Sequence, residues 1–273
     1  MSSFADHINE LSVAEAFGRQ SSHFDKDYSS NPIIQYKRKR VREHALRYLP
    51  PNSSILELNC GTGEDALFFA QEGYHVHATD VSEGMVKELE RKVVESGVKD
   101  KVTYELCSFN ELAGLNARGP YDMILSNFGG LNCTGDLKDV LSSFPSLVKP
   151  GGVVTLVIIP PFCLWESLLL LKGEFKNATR RWFSRGGRKA QIDGVSFRCW
   201  YYTPEYVKRH LGDQFDVLGI EGLCTLVPPS YRENFPGKYP KLFSFLMKAE
   251  DRLKAVWPWR GVGDYFIISL RKR

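Results

Sequence analysis

The chain changes its hydrophobic rhythm after residue 160. From residue 54 to that point short apolar runs alternate with amphipathic stretches: "SILEL" is followed by "EDALFFAQEG", and "YHVHATD" by "SEGMVKELERKVVESG". In the last of these Met85, Leu89 and Val93 recur at the spacing of one helix face. "KVTYELCS", "YDMILSNF" and "GGVVTLVII" read as three further strands, the last introduced by the turn residues Pro150, Gly151 and Gly152. This βαβ alternation predicts at least five parallel strands, with right-handed crossovers that place helices on both faces of the sheet.

Beyond residue 160, "TPEYVKRHLG" predicts a helix with Thr203 as N-cap and Pro204 at its first position. It leads into the strand "FDVLGIEGLCTLV", and "DYFIISLRK" is the final strand, which brings the sheet to seven. The expected organisation has an N-terminal helical lid segment over 1–50 and a cofactor-binding core over 51–160. Two inserted cap segments, 161–200 and 228–262, are expected to roof the site together, while 201–227 and 263–273 complete the core sheet.

With 273 residues, 43% of them hydrophobic and 25% charged, the chain is long enough to enclose a deep ligand site. A net charge of +4 is too mild to argue for a nucleic-acid partner. Six cysteines, Cys60, Cys107, Cys133, Cys163, Cys199 and Cys224, show no CxxC spacing, so neither a disulfide framework nor a metal site is expected, and the thiols read as reduced in the cytoplasm. The opening "MSSFADHINELSVAEAF" carries Asp6 and Glu10 where a secretory signal needs an apolar run, so no targeting segment is expected there. The most apolar window, Val153 to Leu171, is broken by Pro160, Pro161 and Glu166, which argues against a membrane-spanning helix.

The candidate chemistry begins at "ILELNCGTGED". Gly61, Gly63 and Ala66 form G-x-G-x-x-A after a strand, and Asp80 ends the next strand. That pattern alone fits a nicotinamide dinucleotide. Glu57, inside the first strand, tilts the reading, because a carboxylate there needs a cation to offset its desolvation, and the ammonium of a methionine moiety is such a cation.

"ELNCGTG" resembles motif I of the class I S-adenosylmethionine-dependent methyltransferases, with Asn59 where that family's first glycine stands. The resemblance covers about residues 50–160 and rests on Glu57, Gly61, Gly63, Asp80 and Pro150-Gly151-Gly152 as a set. It implies a Rossmann-like α/β fold with a seven-stranded, mostly parallel sheet and an antiparallel last strand. It also implies S-adenosylmethionine as cofactor, with Asp80 on the ribose hydroxyls. "DVSEGM" is similar to the family's motif in which Val81 and Met85 border the adenine. Ser108 and Phe109 are implied at the adenine edge, Asn127 near the methionine end, and Tyr28 as an aromatic closing over the cofactor. A nicotinamide oxidoreductase and a non-catalytic relative of the fold are the alternatives.

The acceptor is less legible. The place after the fourth strand reads "SNFGG" rather than the N/D-P-P-Y/F of methyltransferases acting on adenine or glutamine amide, and no nucleic-acid module is visible, so a small apolar, aromatic or lipid-like molecule is expected. The basic stretch Tyr36 to Arg47 is read as a helix with a solvated charged face. The segment Lys172 to Lys189, with seven basic residues and one acid, is read as an exposed loop, with a substrate roof or a peripheral membrane contact left open. Candidate bases are His7, His23, Asp193, Tyr201 and Tyr202, with Cys133 and Cys163 as thiols near the site. None of them is assigned a catalytic role, and the oligomeric state is not read from the sequence.

Overall fold

Two helices precede the sheet, α1 (Phe4–Ser29) and α2 (Pro32–Leu46), in a computed structural model that describes residues 4–273 other than 183 and 185. The alternating core then forms β1 (Ser54–Leu58), α3 (Glu64–Gln71), β2 (His75–Asp80), α4 (Glu83–Glu95), β3 (Val102–Leu106), β4 (Tyr121–Ser126), α5 (Leu137–Leu147) and β5 (Val148–Ile158). An insertion follows, with the short helices α6 (Leu164–Ser167) and α7 (Phe175–Ala178) and a hairpin of β6 (Arg188–Ile192) and β7 (Val195–Cys199). The chain closes through α8 (Pro204–Leu211), β8 (Phe215–Leu223), α9 (Phe235–Lys238), α10 (Pro240–Leu253) and β9 (Tyr265–Lys272).

Seven strands make one sheet in the order β3-β2-β1-β4-β5-β9-β8. The first five are parallel, and β9 runs antiparallel between β5 and β8, as the resemblance implied. Alternate residues of the central strands feed opposite faces. Leu56, Leu58, Ile124 and Leu156 pack with Phe144 of α5, whereas Ile55, Met123 and Leu125 pack with Phe69 of α3 and Leu89 of α4. Each such fully buried side chain contributes about 1.5–3 kcal/mol. The helix starts follow the sequence: Ser82 caps α4, and Thr203 Oγ1 accepts from Tyr206 N–H at 3.1 Å ahead of Pro204.

Two expectations change. The β6–β7 hairpin, inside a segment read only as cap, turns at Asp193 and Gly194, both at positive φ (46° and 80°), the conformation an Asp-Gly pair provides in a tight hairpin. The basic helix α2 is not a solvated face. Lys37, Arg38 and Arg40 are buried because acids from distant segments meet them: Arg38 lies 3.8 Å from Asp65, and Arg40 bonds Glu221 at 3.1 Å. Of the basic segment 172–189, Arg180 and Arg181 both pair with Glu166, and Arg181 is buried, while residues 183 and 185 lie outside the described residues, as do residues 1–3 of the N-terminal stretch. Among the described residues no helix is long and apolar enough to cross a membrane.

Candidate functional site

Strand order reverses around β1, whose neighbours β2 and β4 connect in opposite directions, and a crevice opens beyond the carboxyl ends of these strands. There the chain forms a partly open cavity of about 810 Å³, the space at its mouth included. Its floor is the loop between β1 and α3. Asn59 takes a left-handed conformation (φ 48°) and braces β4, its Nδ2 donating to Asn127 O at 2.9 Å and its Oδ1 accepting from Ser126 Oγ at 2.6 Å. Gly61 (φ 56°) has nothing above the position of a Cβ, so the backbone is bare toward the cavity. Gly63 (φ 81°) serves packing instead, since a Cβ there would lie 2.1 Å from Leu89 Cδ1.

Asp80 closes the loop from the side. Its Oδ2 accepts from Gly61 N–H and its Oδ1 from Ser82 N–H, both at 2.9 Å. Burial raises its pKa, and these N–H donors oppose the rise. Each oxygen keeps a lone pair for a further donor.

Glu57 is 2% exposed, and its Oε2 has no hydrogen-bond partner. Burial, reinforced by the charge of Asp65, pushes its pKa well above the usual carboxylate range, against the pull of Arg42 and Arg38. Asp65, in the first turn of α3, accepts from Arg42 Nε at 2.6 Å and from Asn127 Nδ2 at 2.7 Å. Four carboxylates, Glu57, Glu64, Asp65 and Asp80, therefore border one cavity, and Glu57 has an oxygen without a donor. A cationic ligand group satisfies this arrangement, and a pyrophosphate does not.

Helix α1 is the roof. Val13, Phe17 and Phe24 face the cavity, Thr62 Oγ1 donates to Asp25 Oδ1 at 2.6 Å, and Lys92 Nζ to Asp25 Oδ2 at 2.8 Å. The hairpin is tied on behind it, with His23 bridging Asp27 (2.6 Å) and Asp193 (2.9 Å). A second chamber of about 780 Å³ adjoins the first and shares Phe17, Phe24, Arg38 and Phe128 with it. From the two segments expected to roof the site, Ile192 and Ser230 reach this second chamber.

Of the residues singled out from the sequence, Glu57, Asn59, Gly61, Asp80, Val81, Met85, Phe109 and Asn127 line the first cavity. Ser108 does not; its hydroxyl donates to Glu10 Oε2 of α1 at 2.7 Å and so fastens the roof. Gly63 is a packing position, and Tyr28 lines the second chamber, accepting from Gln20 Nε2 at 3.1 Å. None of the candidate bases lines the second chamber: His7 is exposed, His23 and Asp193 form the clasp, and Tyr202 donates to Thr134 O at 2.5 Å. Cys133 faces the first cavity, but burial holds its thiol protonated, and Cys163 is buried elsewhere. The reading from sequence missed Arg38, Asp65 and Phe128. Asp65 carried a signal, an acid in the first turn after the glycine loop, whereas Arg38 was hidden among its basic neighbours.

The match to known proteins falls on this same region. A family model described as a methyltransferase domain matches residues 55–152. Demethylmenaquinone methyltransferase of Lactococcus lactis is 31% identical over 157 residues, 55% of this chain and 59% of its own. A tRNA 5-carboxymethoxyuridine methyltransferase of Escherichia coli is 28% identical over 108 residues, 40% of this chain and 41% of its own. The chain spans about half the length of the curated relatives it matches. Among solved structures, 1,6-didemethyltoxoflavin-N1-methyltransferase of Burkholderia thailandensis superposes with a TM-score of 0.58 at 16% identity, covering 100% of this chain and 92% of that one. The chain has the fold of the class I S-adenosylmethionine-dependent methyltransferases, and residues 55–152 are the part that resembles a methyltransferase domain in sequence.

Proposed function

We propose that the protein transfers a methyl group from S-adenosylmethionine to a small apolar, aromatic or lipid-like acceptor. The observation that carries this is the unpartnered Oε2 of Glu57 beneath an open glycine loop. Glu57 neutralises the ammonium of the cofactor, helped by Asp65 and Asn127, and Asp80 accepts from the ribose hydroxyls. Val81, Met85 and Phe109 give the adenine an apolar slot. Bound there, the cofactor supplies a methyl group on a positively charged sulfur.

What the chain adds is position and dryness. Transfer from a sulfonium disperses charge rather than creating it, so holding the acceptor in line supplies much of the acceleration. The roof of α1 excludes water, and the second chamber, walled by Phe17, Phe24, Phe128 and Tyr265, suits a largely apolar molecule. Tyr28 closes over the acceptor there. A nicotinamide dinucleotide is disfavoured because its pyrophosphate would face four carboxylates. One relative acts on tRNA, but a chamber walled mainly by aromatic and apolar side chains supports a small acceptor. The six unpaired thiols fit a cytoplasmic setting.

Calorimetry with S-adenosylhomocysteine and with NADH tests the cofactor, and transfer of labelled methyl from S-adenosylmethionine to candidate small molecules tests the reaction. Binding of S-adenosylhomocysteine with none of NADH is expected. Binding of NADH alone would end the reading.

A further inference from the structure

The second chamber has a charge character of its own. Two cations line it, Lys37 and Arg38, and no carboxylate does. Lys37 is 3% exposed, yet its ammonium has one hydrogen bond, to Ser230 Oγ at 3.1 Å. An ammonium carries three donors. The nearest paired acid, Asp264, lies 3.6 Å away and its other oxygen already accepts from Arg181 at 3.0 Å. Arg181 and Arg180 in turn share Glu166. Arg180 is half-exposed, so the buried charges of this wall, Lys37 and Arg181 against Glu166 and Asp264, balance in number, and Lys37 is the cation among them with donors left for a ligand.

The remaining walls define the body that goes with this charge. Lys37 Nζ stands over the rings of Tyr265 (4.8 Å) and Phe128 (5.5 Å), and Arg38 over Phe128 (5.3 Å). Gln20, itself buried, leaves its Oε1 without a partner. A buried cation with unused donors and a buried carbonyl with no donor are each costly until a ligand satisfies them.

We infer that the acceptor is an aromatic or apolar anion whose carboxylate, phosphate or sulfonate pairs with Lys37 and whose N–H or O–H donates to Gln20 Oε1. This rests on the methyltransferase reading for the word acceptor, but the anion site stands on its own residues. Lys37 is a specificity residue that touches the substrate away from the group methylated.

The test uses two fluorescent probes of one shape, 8-anilinonaphthalene-1-sulfonate and the neutral N-phenyl-1-naphthylamine, titrated into the full protein. The sulfonate is expected to bind about tenfold tighter or better, as a buried charge pair requires. Lys37→Met should erase that preference and Lys37→Arg keep it. Equal affinity of the two probes for the unaltered protein overturns the inference, as does a preference that survives in Lys37→Met. If that variant does not fold, Lys37→Gln and the unaltered protein decide by the same ratio. S-adenosylhomocysteine titrated in parallel separates the two ideas: no anion preference in the unaltered protein with S-adenosylhomocysteine still bound sinks only this inference, and an anion preference with no S-adenosylhomocysteine bound sinks only the methyltransferase reading.

Discussion

Two buried glutamates share one side-chain chemistry and meet opposite fates. Glu250 of α10 is fully buried, and the chain wraps it: the N–H groups of Cys224, Thr225, Leu226 and Val227 donate to its oxygens at 2.8–2.9 Å, and Tyr36 Oη adds another bond at 3.1 Å. Glu57 of β1 is nearly as buried and is left with an oxygen that nothing contacts through a hydrogen bond. Folding completes the first and leaves the second for a ligand. Buried charge alone therefore does not mark a function, whereas buried charge that the fold declines to satisfy does.

The largest expected effect tests the finished half. Glu250→Ala strands four backbone donors and takes the acceptor from the Tyr36 hydroxyl, and should cost about 3–5 kcal/mol in denaturant unfolding. Should it cost no more than a change at Glu57, the contrast between the two is broken. Next comes Glu57→Gln, which should weaken S-adenosylhomocysteine binding by about 2–5 kcal/mol, roughly thirtyfold or more, while leaving stability equal or higher. The sign follows from burial. A raised carboxylate pKa stabilises the fold below the ordinary value and loses that stabilisation as pH rises through the raised one, so the unliganded protein should weaken toward higher pH and the Gln variant should not.

A smaller pair sharpens the same distinction in the backbone. Gly63→Ala meets Leu89 as well as an unfavourable φ and should cost about 1–3 kcal/mol beyond the backbone strain. Gly61→Ala meets open space, so its stability cost should stay near about 1 kcal/mol while cofactor affinity falls, which a melting curve and a titration together read out.

The core sheet was legible because its signals are local. Apolar runs, the glycine turn and the cap at Thr203 sit within a few residues of the elements they specify, and Glu57 announced itself as an acid where a strand should stay apolar. The helix α2 was not legible. Its buried positions are Ile33, Ile34, Lys37, Arg38, Arg40, Val41, His44 and Ala45, but three of them are Lys or Arg, and their partners Asp65, Glu221 and Asp264 lie far along the chain. A reading by hydrophobicity sees only charge there. The hairpin was missed although Asp193-Gly194 flanked by "AQI" and "VSF" gave a turn signal. The bond of Ser108 to Glu10 was not legible, because Glu10 comes from a helix whose docking no local pattern encodes.

The central claim is that Glu57 waits, its pKa raised, for a cation. Calorimetry of S-adenosylhomocysteine binding near neutral pH, in two buffers of different ionisation heat, measures it directly. The account predicts that binding releases protons, that affinity rises with pH through this range, and that both effects vanish in Glu57→Gln. Tight binding with no proton release, or with proton uptake, would contradict it.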